Sequence, residues 1–414
     1  MDFVLSDEQR MLADSLRRRV GEFWTLSRRR RARTEAALDA DAWSALAELG
    51  VLGLTISPDH EGYGEDPASL LPVHVELGRG LVAEPVIPSA VIAATVLAQA
   101  GNHDAQARWL PGIASGEAIL TLAYLEPGRR YAVRPASTHA KRGASGWVLD
   151  GEKSAVWHGG AATAWIVSAA DEAGETVLLM VPRDTPGVAV LDTPTLDATR
   201  AARLTLTGVQ LDDSALLAHG HAADTAIEAG LHWGIAALCA HAAGAMEQLL
   251  AMTVDYLRTR KQFNQPLAAF QALQHKLADM AIAKELALSM AYVAVAALTE
   301  PDATERRRRI SAAKIEAARA GRLVGQLAVQ LHGGMGMTDE LEVGDYFKRL
   351  TAVDLVLGDT AHHYAQMAAL PLEVPDPGRG TADTKDPTTE RTAPTTTAST
   401  TTTSTTTAGK ERTA

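Results

Sequence analysis

Apolar residues change their spacing twice along this chain, and that change limits the fold more than any single motif does. Up to about residue 115 they recur at helical intervals. Leu12, Leu16 and Val20 form one stripe, and Trp43, Leu46, Ala47 and Leu49 form another that Gly50 stops. Ser6 and Gln9 make a capping box at the first helix, because Ser6 can accept from the Gln9 amide and Gln9 can reach back. Further helix is expected over 70–81 and 89–100, with breaks at Gly62, Gly64 and Pro85. From Ile119 the period shortens: 147–149, 165–167 and 177–181 are short apolar runs, and polar and apolar residues alternate over 203–207. From about Ala223 the helical period returns. Met246, Leu249, Leu250, Thr253 and Leu257 share a face, and Leu273, Leu277, Met280 and Ala281 mark a second long helix. A third helix runs through Ile315, Ala318 and Val329, and a last one over 362–369.

This order predicts a mainly α protein with a small central β-domain of barrel type and a four-helix bundle after it. The expected boundaries are 1–118 for a helical domain, 119–222 for the β-domain, 223–372 for the bundle and 373–414 for a tail. That tail is rich in Thr, Pro and charge and nearly free of bulky apolar residues. Such a segment cannot offset its ordering entropy, so disorder is expected there.

Composition removes several function classes. A formal net charge of -11 argues against general affinity for nucleic acid or an anionic membrane. The run Arg306–Arg309 is the local exception, and its place after Pro301 suggests a solvated connection between helices. A single cysteine, Cys239, allows no intramolecular disulfide and fits a reducing, cytoplasmic setting; its apolar neighbours suggest a buried small hydrophobe. Charges stud the first 20 residues, so no signal peptide is expected, and no uninterrupted apolar span of membrane length is read.

Two motifs are sharper. One runs from Tyr256 through Arg258, Arg260, Gln262, Phe263, Asn264 and Pro266 to Phe270-Gln271. The other is Gln330-Leu331-His332-Gly333-Gly334-Met335-Gly336, about 70 residues later. Together with Leu5–Gln9, Leu49–Leu54 and Gly151-Glu152-Lys153, they resemble signatures of the acyl-CoA dehydrogenase family of flavoproteins over roughly residues 1–370. Tyr346–Thr351 and the Gly358-Asp359 step resemble, more narrowly, the bacterial type called the small subunit of pimeloyl-CoA dehydrogenase.

The residues suit a dinucleotide. A diphosphate needs fixed donors and positive charge, and Arg260 offers a planar fork of donors. Gln330 offers an amide, and Gly333-Gly334 allow close backbone approach. The resemblance implies FAD as cofactor, with Arg260, Gln262, Phe263, Gln330, Gly333 and Gly334 reaching FAD held mainly by a neighbouring subunit. Read singly, Arg260 is an ordinary surface cation and Gly333-Gly334 an ordinary helix end. The resemblance also implies that Thr360 contacts FAD. It places the β-domain's flavin wall at Leu125–Arg130 and Ala155–Gly159, where the family's threonine and serine are missing. Trp157 and His158 are the flavin-facing candidates there, with core packing and a satisfied loop histidine as the alternatives.

The implied reaction takes an α-proton from an acyl-CoA thioester while the β-hydrogen leaves as hydride. It needs a carboxylate base with a pKa raised by burial. The family's two main positions for that glutamate match Gly358 and about Gly234, and the variant seen in close bacterial relatives matches His241. Asp359 and His241 are the reserve bases, with His362 or His363 near the pocket mouth; packing and a solvated helix face are the alternatives. The expected function is an FAD-dependent acyl-CoA dehydrogenase subunit. Its expected assembly is a homodimer, a homotetramer or a heterotetramer with a larger related subunit, passing electrons to an electron-transfer flavoprotein. A non-catalytic subunit of such an assembly, or a flavin monooxygenase on the same scaffold, are the competing readings.

Overall fold

A computed structural model describes residues 5–34, 38–143 and 146–371. The expected tail over 373–414 lies outside the described residues. The amino-terminal part holds α1 (Asp7–Phe23), α2 (Leu26–Thr34), α3 (Ala40–Glu48), α4 (Leu70–Arg79), a π-helical stretch over Val86–Ala93, α5 (Ala94–Gln99) and α6 (His103–Ser115). The capping box at Ser6 and Gln9 is present, and Leu16 and Val20 are the buried side of α1. No apolar stripe announces α2, whose sequence is LSRRRRART. Arg28 and Asp39 pair at its flank at 2.5 Å, and Arg29 donates to the Trp24 carbonyl at 2.8 Å.

The middle of the chain forms β1 (Leu120–Ala123), β2 (His139–Gly143), β3 (Gly146–Trp157), β4 (Ala164–Ala170), β5 (Thr176–Pro182), β6 (Val188–Pro194), β7 (Arg200–Leu211) and β8 (Leu216–His219). The strands hydrogen-bond in the order β6-β7-β3-β2-β4-β5-β8, and β1 pairs in parallel with β4. The expected barrel is therefore corrected: the end strands β6 and β8 do not pair, and the sheet stays open. Closure would need a ladder between them. Instead β1 and β2 both pair with β4, and β2 reaches it through one bridge, His139 to Ala170.

The carboxy-terminal part holds α7 (His221–Thr259), α8 (Gln271–Ala297), α9 (Ala303–His332), α10 (Val343–Leu355) and α11 (Thr360–Ala368). Both α7 and α8 are long and apolar enough to cross a membrane by length and composition, which the sequence reading did not expect. Most of α7 is covered by protein, since α4, α8 and α9 pack on it. The run Arg306–Arg309 is also corrected. It lies in the opening turns of α9, where Arg307 pairs with Glu228 (2.8 Å) and Arg309 with Glu305 (2.7 Å).

Close backbone approach fixes how α4 sits on α7. A Cβ on Gly78 would lie 1.9 Å from the His241 carbonyl oxygen, and one on Gly244 would lie 1.8 Å from that of Val75. Gly78→Ala must push the helices apart, so we expect a loss of about 1–3 kcal/mol in urea unfolding. An unchanged midpoint would show that the crossing can open freely.

Candidate functional site

Where the sheet meets the bundle there is a cavity of about 570 Å³. Its walls come from β1 and the loop after it, the end of β3, the β6–β7 hairpin and the end of α10. The β3 end is shaped for this. Pairing of β3 with β7 shifts register between Lys153 and Val156, and both Ala155 (φ 47°) and His158 (φ 52°) take left-handed backbone. Such a bulge re-aims the side chains after it. Trp157 lies on the cavity wall, and its indole Nε1 is buried without a hydrogen-bond partner.

A second cavity, of about 460 Å³, shares Tyr124, Tyr131, Leu231 and Leu357 with the first. These four side chains are the partition. The second cavity is more polar. Asp224, Glu228, Leu231, His232 and Ile235 reach it from one face of α7, spaced as neighbouring helical turns require. Arg134, Arg307, His362 and His363 line it as well.

Behind the first cavity, beyond Trp157, lies a chamber of about 30 Å³, room for about one water. Buried Arg349 organises it. Its Nη1 donates to His241 Nε2 (2.8 Å) and the Val82 carbonyl (3.1 Å), its Nη2 donates to the Asp197 carbonyl (3.1 Å), and its Nε lies 2.9 Å from Asp197 Oδ2. Burial pushes His74 down to about 3 and His158 down to about 4. Burial, then the charge of Arg349, pushes His241 well below its ordinary value. Burial alone would raise the Asp197 carboxyl, but Arg349 and the Thr195 and Thr199 hydroxyls hold it down.

The base candidates are therefore placed as follows. His241 faces the small chamber with its Nε2 lone pair taken by Arg349. Asp359 is the N-cap of α11, accepting from the His362 amide (2.7 Å) and pairing with Arg130 (2.6 Å). The His363 imidazole donates to the Leu357 carbonyl at 3.0 Å, and burial lowers it to about 4. Burial also lowers His362. The Thr360 hydroxyl donates to Asp354 at 2.7 Å.

Neighbours stand close to where a Cβ would lie at both glycines that the resemblance matches to the family's glutamate. A Cβ on Gly234 would lie 2.6 Å from Ile92 and 3.2 Å from Leu357; one on Gly358, where φ is 105°, would lie 2.7 Å from the His362 and His363 rings. The carboxylates on the cavity walls are engaged. Glu126 pairs with Lys153 (3.0 Å), Asp197 with Arg349, Asp224 accepts from Thr176 (2.7 Å), and Glu228 pairs with Arg307.

The two glycine- and arginine-bearing motifs form a separate patch. Tyr256 stacks on His332 with centroids 4.3 Å apart, which brings the end of α7 to the end of α9. Arg260, Gln262, Gln330, Gly333 and Gly334 are exposed there, and Phe263 is 85% exposed with φ 52°. None of the six borders the 570 Å³ cavity. The cavity itself suits FAD on two counts. Its volume lies in the range of ligand sites, and the unpartnered indole donor of Trp157 answers an acceptor-bearing flat ring. Sequence reasoning did not single out Arg349, Asp197, Tyr124 or Tyr131, and it passed over Arg130 as part of a departure from pattern. A signal was present for Tyr346–Thr351, where Arg349 interrupts an apolar stripe of Val343, Tyr346, Leu350 and Val353.

Three family models match the chain in order: the acyl-CoA dehydrogenase N-terminal domain over residues 6–117, the middle domain over 121–213 and the C-terminal domain over 224–370. The chain is 30% identical over 330 residues to the acyl-CoA dehydrogenase FadE27 of Mycobacterium tuberculosis, covering 78% of this chain and 86% of that one. Its fold is similar to that in the ChsE4-ChsE5 complex from Mycobacterium tuberculosis, with a TM-score of 0.81, 26% identity and coverage of 90% and 100%. It is also similar to a glutaryl-CoA dehydrogenase from Mycobacterium smegmatis in complex with FADH2, with a TM-score of 0.80, 25% identity and coverage of 88% and 94%.

Proposed function

The chain belongs to the acyl-CoA dehydrogenase family, and from that premise we propose that it works as one half of a mixed dehydrogenase whose proton-abstracting carboxylate comes from a larger related partner. The activity is FAD-dependent α,β-dehydrogenation of an acyl-CoA thioester to the 2,3-enoyl-CoA. Bound FAD supplies the hydride acceptor.

This chain's residues contribute binding and order. Trp157 and the wall after β1 hold the ring system, and Trp157 Nε1 offers it a donor. Leu231 and Leu357, with Tyr124 and Tyr131, keep water from the junction between the cavities. The second cavity, polar along α7, suits the thioester's amide-bearing arm. The exposed patch of Arg260, Gln262, Phe263, Gln330, Gly333 and Gly334 reaches the FAD of a neighbouring subunit, and Thr360 supports the loop after α10. In this reading neither His241 nor Asp359 takes the α-proton, because one is a hydrogen-bond acceptor for Arg349 and the other is a helix cap paired with Arg130.

The observation that carries the reading is glycine at both positions that the resemblance matches to the family's glutamate, with Ile92 and Leu357 close to a Cβ at Gly234 and the His362 and His363 rings close to one at Gly358. A similar solved structure that pairs two different chains supports a mixed assembly. The likeness of Tyr346–Thr351 to the pimeloyl-CoA dehydrogenase small subunit supports the smaller role; a dehydrogenase of this kind passes its electrons to an electron-transfer flavoprotein, and the single cysteine fits a cytoplasmic setting. The test is an anaerobic titration with acyl-CoAs of graded length. Flavin on the chain alone should stay unbleached by every thioester, and should bleach when the chain is co-expressed with a larger relative. Bleaching of the chain alone would overturn the reading, and His241→Ala and Asp359→Ala would then locate the base.

A further inference from the structure

We propose that Lys314 is a positioning residue for the partition between the two cavities: its buried ammonium holds the turn from α10 to α11, so that Leu357 stays in the wall and confines the acyl group. The proposal rests on the acyl-CoA reading above and adds to it the group that sets how sharply acyl chains are discriminated.

Lys314 lies within α9 and is fully buried. Its Nζ donates to the Gly358 carbonyl at 2.6 Å and to the Asp354 carbonyl at 3.3 Å. A buried ammonium whose acceptors are backbone carbonyls costs far more than an apolar side chain filling the same space. Packing of α9 on α10 therefore does not explain a lysine here, whereas the needs of the turn do.

That turn needs holding. Because α10 ends at Leu355, the Asp354 carbonyl is among the last that a helix leaves without a helical partner. A cation there also meets the negative end of the helix. Two consecutive residues then take left-handed backbone, Leu357 at φ 59° and Gly358 at φ 105°. Leu357 is not glycine and does so at a cost. Its side chain borders both the 570 Å³ and the 460 Å³ cavities and would lie 3.2 Å from a Cβ on Gly234. Without the ammonium the turn keeps its ties on either side, His363 to the Leu357 carbonyl (3.0 Å) and Thr360 to the Asp354 carboxylate (2.7 Å). The Gly358 carbonyl between them loses its donor, and Leu357 is freed to leave the wall.

The hold also depends on pH. Burial lowers Lys314 to about 8. The groups facing it are Cys239 on α7, Asp354 on α10, and Asp359, His362 and His363 at the start of α11. Burial pushes Cys239 up to about 12 and lowers both histidines, His363 to about 4. Burial would raise Asp354, but the hydrogen bonds from Thr360 hold it down. Between about pH 7 and 9 it is therefore Lys314 that gives up its charge, and a neutral amine donates to carbonyls less strongly than an ammonium.

The test uses the full chain loaded with FAD, with its partner if one is needed for stability. Calorimetric titrations with straight-chain thioesters from acetyl-CoA to dodecanoyl-CoA give the affinity for each length. Wild type should bind one range of lengths best. In Lys314→Met the ratio of best to worst affinity should fall at least about fivefold, the worth of one hydrogen bond, while acetyl-CoA, with the shortest acyl group, changes less than about twofold. Wild type should lose the same discrimination between about pH 7 and 9, and Lys314→Met should show no such dependence. Leu357→Ala removes the wall directly and should flatten discrimination at every pH. An unchanged ratio in a folded Lys314→Met would overturn the positioning role, as would a wild-type ratio that is flat or equal at both pH values. The wild-type pH series decides alone if the variant does not fold. Equal loss for every thioester, acetyl-CoA included, would overturn it as well, because the lysine would then serve the fold and not the partition. A wild type that binds no thioester would overturn the functional reading beneath it.

Discussion

Lys153→Met is expected to destabilise the chain by about 3–5 kcal/mol, enough to halve or remove the stability of a typical domain. Lys153 and Glu126 are fully buried and pair at 3.0 Å. Glu126 also accepts from the backbone amides of Ala136 (3.0 Å), Ser137 (2.9 Å) and Thr138 (3.0 Å) and from the Ser137 hydroxyl (2.9 Å). Lys153 donates onward to Ser168 (3.2 Å) and the Tyr124 carbonyl (3.4 Å). The pair thus folds the loop after β1 back onto β3 and β4, and that loop carries Arg130 and Tyr131. Removing only the cation leaves a carboxylate buried without its counter-charge, so urea unfolding should show the loss and FAD affinity should fall with it. Lys153→Met with Glu126→Gln removes both charges and should recover part of the loss, since coupled partners are not additive. A single variant within about 1 kcal/mol of wild type would show that the amides alone satisfy Glu126.

The same pair predicts acid behaviour. Burial pushes the Glu126 carboxyl up, but the Lys153 charge and the amides outweigh it and hold it at about 2, below the ordinary 4.5. A depressed carboxyl contributes stability that is complete above its unfolded value and is lost as pH falls through the folded one. The contribution should therefore fade between about pH 4.5 and 2, and Lys153→Met should flatten that part of the acid titration.

The three regimes of apolar spacing carried over into structure because each is a burial pattern. The stripe of α1 buries Leu16 and Val20, and the core of the sheet follows the runs at 165–167 and 177–181. What spacing alone cannot show is an element whose reason lies elsewhere. The helix α2 has no apolar stripe and is held by arginine contacts, and the open edge of the sheet depends on where β1 and β2 attach, not on their composition. The site was half legible for the same reason. Gly234 and Gly358 offer no carboxyl where the resemblance expects one, which the sequence shows, whereas the close approach of Ile92 and His363 to them exists only in three dimensions. Charged residues such as Lys153, Arg349 and Asp197 look like surface residues until their partners, distant in sequence, are placed beside them.

Arg349→Lys should cost nearly as much as Arg349→Met, about 3–5 kcal/mol for either, although lysine keeps the charge. Arg349 joins four parts of the chain around the small chamber behind the cavity: it sits on α10, donates to Val82 in the amino-terminal part, to Asp197 in the β6–β7 hairpin and to His241 on α7. Those acceptors lie in different directions and require a planar fork. A lysine ammonium at the end of a flexible stem reaches one or two of them and leaves the others unpaired in a buried chamber. The Asp197 carboxylate then loses its closest cation, so Asp197→Asn should partly rescue Arg349→Met but not Arg349→Lys. His241 gives a second readout. The nearby Arg349 charge helps to push its pKa down, so its proton affinity should rise in Arg349→Met and rise less in Arg349→Lys, which an imidazole NMR titration would follow. If lysine restores wild-type stability, the chamber needs only a charge, and the three-way joint is not what holds its walls together.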